Sequence, residues 1–405
     1  MIKKVFLIVS IILVLMFGVS TLHSQKSENE FVFWTIQLKG VADEIIEKNI
    51  KAFETKHPEI KVVWIDIPIA ETQKRILAST LSSTPPDLVN LNPEFSYLLA
   101  RHGAVEYFRE VDTENFNKNL QDILRFEGKA FAIPFYATSP VTLYNREIYN
   151  KCGIKNPPKT YDELLLISEK INKCTRADVL SINLNEGEVF PKILNKYEIY
   201  DAKSLKEKGK KPYETFKTLY SKGFISKECL TMNHREVLEK YMAENALTVV
   251  VGTNFIKSVQ ENALDIYNKS AISEQLTGTS GKYDVSLMNL LIPKKAKHKE
   301  LAREFALMLT DKESQLALAR KTNVLPANKY ALEDNYFKTT KNADPLEVAR
   351  IVSARQLNNL VEKEFSPLNK KEINDMINKS IESYLILNED TNSAIDKIKE
   401  ELEEI

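Results

Sequence analysis

The sequence predicts an α/β protein folded as two lobes. From residue 31 onward, short β-branched and aromatic runs alternate with amphipathic stretches at helical spacing, the pattern of strands covered by helices. The 405 residues exceed the about 100 to 200 that one compact domain usually holds. With 43% apolar residues and 9% aromatics, the chain has the composition of a globular protein with a sizeable core.

Phe31 to Ile36 reads as a strand, and Ala42, Ile46, Ile50 and Phe53 recur at the spacing of one helical face. Ile60 to Ile67 (IKVVWIDI) is a nearly continuous β-branched and aromatic run, as expected of a buried strand, so the first unit is βαβ. Ile76, Leu77 and Leu81 predict a further helix, which Pro85 and Pro86 stop before a third strand at Leu88 to Leu91. Thr160 and Glu163, after Pro157 and Pro158, have capping-box spacing and open a helix carrying Leu164, Ile167 and Ile171 on one face. Thr310 with Glu313 is a second such box. Leu301, Phe305 and Leu309 form one core stripe, and Ile395, Ile398, Leu402 and Ile405 another. No repeat of 20 to 50 residues is visible. The charge-rich stretch Lys203 to Lys211 reads as a solvated loop.

The amino terminus differs in kind. Lys3 and Lys4 precede an apolar run from Val5 to Val19 broken by Ser10, the pattern of an export leader over residues 1–24. Gly18, Ser20 and the Ser24 region offer small residues for cleavage. The apolar stretch over 5–22 also reaches the length of about 18 residues at which a membrane anchor becomes feasible. Either way the chain is exported, to the periplasm or the cell surface. No cysteine sits near the leader, so no lipid anchor is expected. The formal charge is +0, with 56 basic and 56 acidic residues, and nothing favours a nucleic-acid partner, whose phosphates demand a basic surface. Cys152, Cys174 and Cys229 form no metal-ligand spacing. They read as buried or unpaired thiols, with one bridge left open for an oxidising compartment.

Local signatures of catalysis are missing. Only Gly278 and Gly281 fall within four residues of each other, so there is neither a dinucleotide fingerprint nor a P-loop. Gly278-Thr279-Ser280-Gly281 lacks the residue a nucleophile elbow needs between serine and glycine, and reads as a flexible turn. The histidines at 23, 57, 102, 234 and 298 include no i, i+4 pair for zinc. No metal and no cofactor are expected. A carboxylate pair of the glycosidase type remains open, because such pairs converge only in the fold.

Several blocks in order resemble a known family. Phe33-Trp34-Thr35 closes the first strand, Phe53 to Val62 (FETKHPEIKV) ends the first helix, and Thr84 to Val89 (TPPDLV) follows. Next come Ala100 to Ala104 (ARHGA), Ala132-Ile133-Pro134, Leu143 to Arg146 (LYNR), and Cys152-Gly153-Ile154 leading into Pro157 to Leu164 (PPKTYDEL). Asn289 to Pro293 (NLLIP) and Thr322 to Ala327 (TNVLPA) come late. This order resembles the family 1 extracellular solute-binding proteins of ABC importers, whose relatives include the maltodextrin- and glycerol-phosphate-binding proteins. It covers nearly all of residues 31 to 405 and is clearest over 31 to 165. Two blocks depart from the family pattern: Gly252-Thr253-Asn254-Phe255 stands where a glycine-tryptophan is frequent, and the proline-rich stretch before Gly278 is missing. With Trp34 and Trp64 the sole tryptophans, stacking on a sugar falls largely to tyrosine and phenylalanine.

The resemblance implies a two-lobed periplasmic-binding-protein clamp of type II with an interlobe hinge. Lobe one would be 31–138 plus 275–326 and lobe two 139–274 plus 327–405, with crossings near Thr138 to Pro140, Ala271 to Gln275 and Leu325 to Asn328. It further implies a non-catalytic, monomeric carrier that delivers a sugar or polyol to ABC permease subunits. Its rivals are a surface-attached scaffold and a hydrolase acting on the same solutes. Ligands of such folds sit beyond the carboxyl ends of the strands. That rule places Trp34 and Gln37, Asn92 and Glu94, Tyr136 and Thr138, Asn254 and Phe255, and Asn289 at the ligand. The aromatic residues would stack on an apolar ligand face, and the amides and Glu94 would hydrogen-bond hydroxyls. A buried Glu94 would favour a neutral polyol over an anion. Asp87 is expected to brace backbone rather than to touch ligand.

Overall fold

The computed structural model describes residues 29–68, 84–340 and 342–405, together with 71, 75, 78 and 79. The leader and the helix expected from Ile76, Leu77 and Leu81 lie outside the described residues. In chain order the strands that matter are β1 (Glu30–Ile36), β2 (Lys61–Ile67), β3 (Leu88–Leu91), β4 (Val105–Glu106), β5 (Ile133–Thr138), β6 (Val141–Asn145), β7 (Thr248–Val251), β8 (Ser270–Glu274), β9 (Ser286–Pro293) and β10 (Leu325–Pro326).

The larger sheet runs β10-β5-β9-β3-β1-β2, with β4 added to β9. β1 is parallel to β2 and β3, while β9 is antiparallel to β3 and β5. The expected βαβ unit is therefore present, its helix spanning Asp43–Lys56. Phe31 and Phe33 point from alternate positions of β1 into one aromatic cluster with Phe53 and Phe305, at ring separations of 5.0 to 5.6 Å. Tilted and edge-on aromatic pairs of this kind add to what burial alone contributes. Asp87 accepts hydrogen bonds from the Val32 and His298 amides, at 2.8 and 3.1 Å, so it braces backbone.

The smaller sheet is antiparallel, β8-β6-β7, and two further apolar clusters pack around it and its helices. Thr160 caps the helix Tyr161–Cys174 by accepting from the Glu163 amide at 3.0 Å, and Glu163 accepts from the Lys159 amide at 2.7 Å.

The chain passes from the larger to the smaller sheet between Thr138 and Val141, and returns between Glu274 and Ser286. Buried amides hold this junction. The Gln356 side-chain NH2 donates to Ser139 Oγ at 2.8 Å and to the Pro140 carbonyl at 2.7 Å, and Gln356 Oε1 accepts from the Gln275 amide at 2.8 Å. Ser139 Oγ donates to the Asp284 carbonyl at 3.0 Å, and Ser353 Oγ donates to the Ser139 carbonyl at 2.6 Å.

The structure corrects five expectations. β10 joins the larger sheet, and Ala327, Ala331 and Phe337 lie in its core, so the last crossing falls after Phe337 rather than near Leu325 to Asn328. Lys203 to Lys211 is helical, within Ala202–Lys208 and Lys210–Ser221, because Asp201 caps the first of these helices. Asp311, not Thr310, caps the helix Lys312–Thr322; the Thr310 hydroxyl donates back to the Ala306 carbonyl. Ile405 lies beyond the last helix and is exposed, so the terminal stripe stops at Leu402.

Fifth, Cys152 and Cys174 are bonded, with Cα atoms 5.6 Å apart, while Cys229 is a buried free thiol whose pKa burial pushes up to about 12. The bridge ties the end of the helix Arg146–Lys151 to the end of the helix Tyr161–Cys174. A crosslink over 22 residues constrains the unfolded chain. Replacing both cysteines by alanine is expected to cost about 2 to 4 kcal/mol, read as a lower denaturant midpoint; an unchanged midpoint would count against a structural bridge.

Candidate ligand-binding cleft

Between the two sheets lies a cavity of about 600 Å³. On the larger-lobe side its wall begins in the turn after β1. Asp66 sets this turn: its carboxylate accepts from Thr35 Oγ1 at 2.5 Å and from the Leu38 and Lys39 amides at 3.0 and 3.2 Å. Leu38 and Val41 are thereby presented to the cavity, next to Tyr136 and Thr138 from the end of β5. Burial, with Asp66 as a lesser cause, raises the Tyr136 pKa far above that of free tyrosine, so its hydroxyl stays a donor.

Opposite, β7 runs into Gly252 and the helix Thr253–Asn262, which brings Asn254 and Phe255 to the cavity. The His234 ring packs edge-on against Phe255 at 4.4 Å. Thr253 Oγ1 donates to the Asn323 carbonyl at 3.0 Å, joining the two sides at the rim. The helix Val189–Lys196 forms the floor: Val189, Lys192, Ile193 and Lys196 fall on one face and line the cavity with Tyr161.

A second cavity of about 580 Å³ adjoins the first and shares Glu188, Lys192, Asp284 and Ser286 with it. Its other side carries Asn92, Glu94, Tyr97, Phe365 and Lys370. The charges at this seam are paired. Lys196, 2% exposed, reaches Asp284 at 2.8 Å and donates to the Leu276 carbonyl at 3.0 Å. Lys370 contacts Glu94 across the cleft, Glu188 at 3.1 Å and Glu364 at 3.9 Å. Burial works to raise the Glu188 pKa, yet Lys192 and Lys370 hold it below the usual carboxylate value; Glu364, where burial wins, is shifted upward. Burial likewise opposes charge on Lys192 and Lys370, but the surrounding carboxylates outweigh it and both pKa values rise.

Of the nine residues expected at the ligand, Tyr136, Thr138, Asn254 and Phe255 come together on the first cavity, and Asn92 and Glu94 on the second. Asn92 also caps the helix Pro93–Arg101, and Glu94 is engaged by Lys370, so Glu94 is not the free acceptor expected. Three lie elsewhere. Trp34 is half-buried against the core of the larger lobe. Gln37 sits exposed at φ 52° in the turn. Asn289 is fully buried within the sheet, accepting from Ser96 Oγ at 2.8 Å, because β9 is a central strand. The sequence reading missed Tyr161, His234, Lys192, Lys196 and Asp284. Two lysines four apart on an otherwise apolar helix face were the one local signal for the floor.

Residues 39–316 match the family described as bacterial extracellular solute-binding protein. The chain belongs to that family. It is the extracytoplasmic solute-binding component of an ABC importer, and its family and fold are those of binding proteins rather than enzymes. A proposed oligosaccharide periplasmic-binding protein from Synechococcus sp. MITs9220 shares the fold at a TM-score of 0.80, with 23% identity over 92% of this chain and 98% of that one. Maltose-bound T. maritima MalE3 does so at 0.71, with 18% identity over 92% and 99% of the two chains. The diacetylchitobiose binding protein DasA of Streptomyces coelicolor is 24% identical over 287 residues, 65% of each chain. Among the described residues, no helix of this family member is long and apolar enough to cross a membrane, and no group of three or more His, Cys, Asp or Glu could hold a metal ion.

Lys370 is the cation that three carboxylates share across the cleft. Its raised pKa keeps it charged until the pH exceeds 10.5, and the lowered pKa of Glu188 keeps that partner charged until the pH falls below 4.5. The contribution of Glu188 is thus present at neutral pH and lost on acidification through its folded-state pKa. Lys370→Met leaves the carboxylates facing one another, and small-angle scattering of the ligand-free chain at pH 7 should show a larger radius of gyration, reverting near pH 4. Parent-like scattering at both pH values would refute a closing role.

Proposed function

We propose that the protein captures a neutral carbohydrate or related polyol in the cleft and delivers it to the membrane permease subunits. The observation that carries this reading is a cavity whose wall combines Tyr136, Tyr161 and Phe255 with aliphatic side chains, over a floor whose cations and carboxylates pair with one another. Aromatic faces suit the apolar face of a sugar ring, while a charge-balanced floor offers an anionic solute no surplus cation. The relatives named for diacetylchitobiose and maltose support the carbohydrate class.

In the same reading, residues 1–24 direct export, lobe one comprises 31–138 with about 283 to about 337, and lobe two comprises 139 to about 281 with the remainder, because Leu276 packs in the core of lobe two and Tyr283 against that of lobe one. Residues 357–360 return to touch the first core, since Leu357 and Leu360 pack there. Closure about the Ser139 junction would signal occupancy to the permease.

Isothermal titration over glucose, N-acetylglucosamine, maltose, lactose, diacetylchitobiose, maltotriose, glycerol 3-phosphate and xylitol tests the reading. Saturable binding of a neutral saccharide or polyol without product formation is expected; exclusive binding of the phosphate ester, or hydrolysis, would sink it. Phe255→Ala and Tyr136→Ala should each weaken the bound solute by about 1 to 3 kcal/mol, as expected for a lost aromatic contact. Trp34→Ala should lower the unfolding midpoint and leave affinity nearly unchanged, because Trp34 packs in the core rather than on the cavity wall.

A further inference from the structure

Asp284 stands at the seam of the two cavities and lines both. It is 9% exposed. One carboxylate oxygen, Oδ2, receives Lys196 at 2.8 Å, whereas Oδ1 is buried with no hydrogen-bond partner. An unpartnered buried oxygen of this kind is costly, and a native protein keeps one where something else is to satisfy it. Its backbone cannot turn away to find a partner. The Asp284 amide donates to Gln275 Oε1 at 3.2 Å, and its carbonyl accepts from Ser139 Oγ and the Gln275 side-chain NH2 at 3.0 and 3.1 Å. The side chain is therefore held over the seam by the junction between the lobes.

We propose that Asp284 Oδ1 accepts a hydrogen bond from a hydroxyl of a carbohydrate of two or more rings lying across both cavities. This rests on the carbohydrate reading and adds the residue and the size class. Cavities of about 600 and 580 Å³ each lie within the range of single ligand sites, and a ligand confined to one would leave the other solvated. The carboxylate, already neutralised by Lys196, takes a hydroxyl donor and rejects a carboxylate or phosphate oxygen. Its attachment to Ser139 and Gln275 places a ligand contact directly on the interlobe junction.

The test titrates glucose, N-acetylglucosamine, maltose, lactose, diacetylchitobiose and maltotriose into the parent, Asp284→Asn and Lys196→Met. The parent should bind a di- or trisaccharide at least about tenfold more tightly than its monosaccharide unit. Asp284→Asn should weaken that binding by about ten- to a hundredfold, the scale of a hydrogen bond to a charged group. Lys196→Met, which removes a cavity-lining cation and leaves the carboxylate unpaired, should also weaken binding, but by a smaller factor than Asp284→Asn. Equal losses in the two variants would make the pair merely structural and overturn the assignment, as would binding by Asp284→Asn within twofold of the parent, or a monosaccharide binding as tightly as its oligomers. Should Asp284→Asn fail to fold, a crystal structure of the parent with the bound saccharide decides: a ligand hydroxyl within about 3.2 Å of Oδ1 upholds the proposal, and its absence overturns it. A parent that binds no saccharide overturns the carbohydrate reading and this inference together, whereas a binding parent with an unaffected Asp284→Asn overturns this inference alone.

Discussion

The two lobes meet through a handful of amide hydrogen bonds, and the site depends on them. Gln275, Gln356, Ser139 and Ser353 are all fully buried, where an unpaired amide or hydroxyl costs about 1 to 3 kcal/mol. Here Gln356 donates to Ser139 Oγ and Pro140 and accepts from the Gln275 amide, while Ser139 in turn donates to the Asp284 carbonyl. A satisfied buried network of this kind selects one arrangement, since sliding any member strands the others. It therefore fixes the outgoing crossover, the returning crossover and the helix Pro345–Gln356 relative to one another. The ends of the two strands that border the cavity thus start from atoms that are themselves held.

Charge on the cleft floor follows a different logic. Taking Lys196 and Asp284 out of water costs several kcal/mol per ion, and their attraction only roughly offsets it, so such a pair is a poor device for stability. It is a good device for shape. Lys196 draws the helix Val189–Lys196 toward Asp284 and also donates to the Leu276 carbonyl, which binds the smaller lobe's floor to the returning crossover. Lys370 performs the matching task on the far side, where its partners come from the helix Pro93–Arg101 and from Glu188. The cleft is thus charged at its seam and largely apolar on its walls.

Local physics made the framework legible and left the site half-read. Alternating strands such as β1, the continuous run of β2 and the Thr160 cap announce themselves because each is decided within a few residues. Segment order, through the family resemblance, pointed to Tyr136 on β5 and Phe255 on the helix Thr253–Asn262, and both line the first cavity. Asn289 failed because nothing local distinguishes an asparagine at the end of a strand from one in the middle of a six-strand path; its burial is decided by β3 and β5 lying on either side. Trp34 failed for a related reason: it lies inside β1, two residues before the strand ends, and nothing local decides which face of the strand it occupies. The Cys152–Cys174 bridge depends on two helix ends meeting in space, and no spacing rule reports that.

Asp284 was invisible for the deepest reason, since its partners Ser139, Lys196 and Gln275 come from three separate parts of the chain. Gly278 shows how this assembly is specified after all. A Cβ there would stand 2.6 Å from the Tyr197 ring and 2.7 Å from the Lys196 carbonyl, closer than real contacts allow, and the second of these is rigid backbone. Glycine lets the loop press flat on the end of the floor helix, where the Ser280 amide donates to that same Lys196 carbonyl at 3.1 Å. Thr277 meanwhile exchanges backbone hydrogen bonds with Lys159 and Tyr161 at 3.0 Å each. The loop is thus docked at both its start and its turn before it reaches Asp284, so the segment that reads in the sequence as a flexible turn is the part that delivers a carboxylate to Lys196.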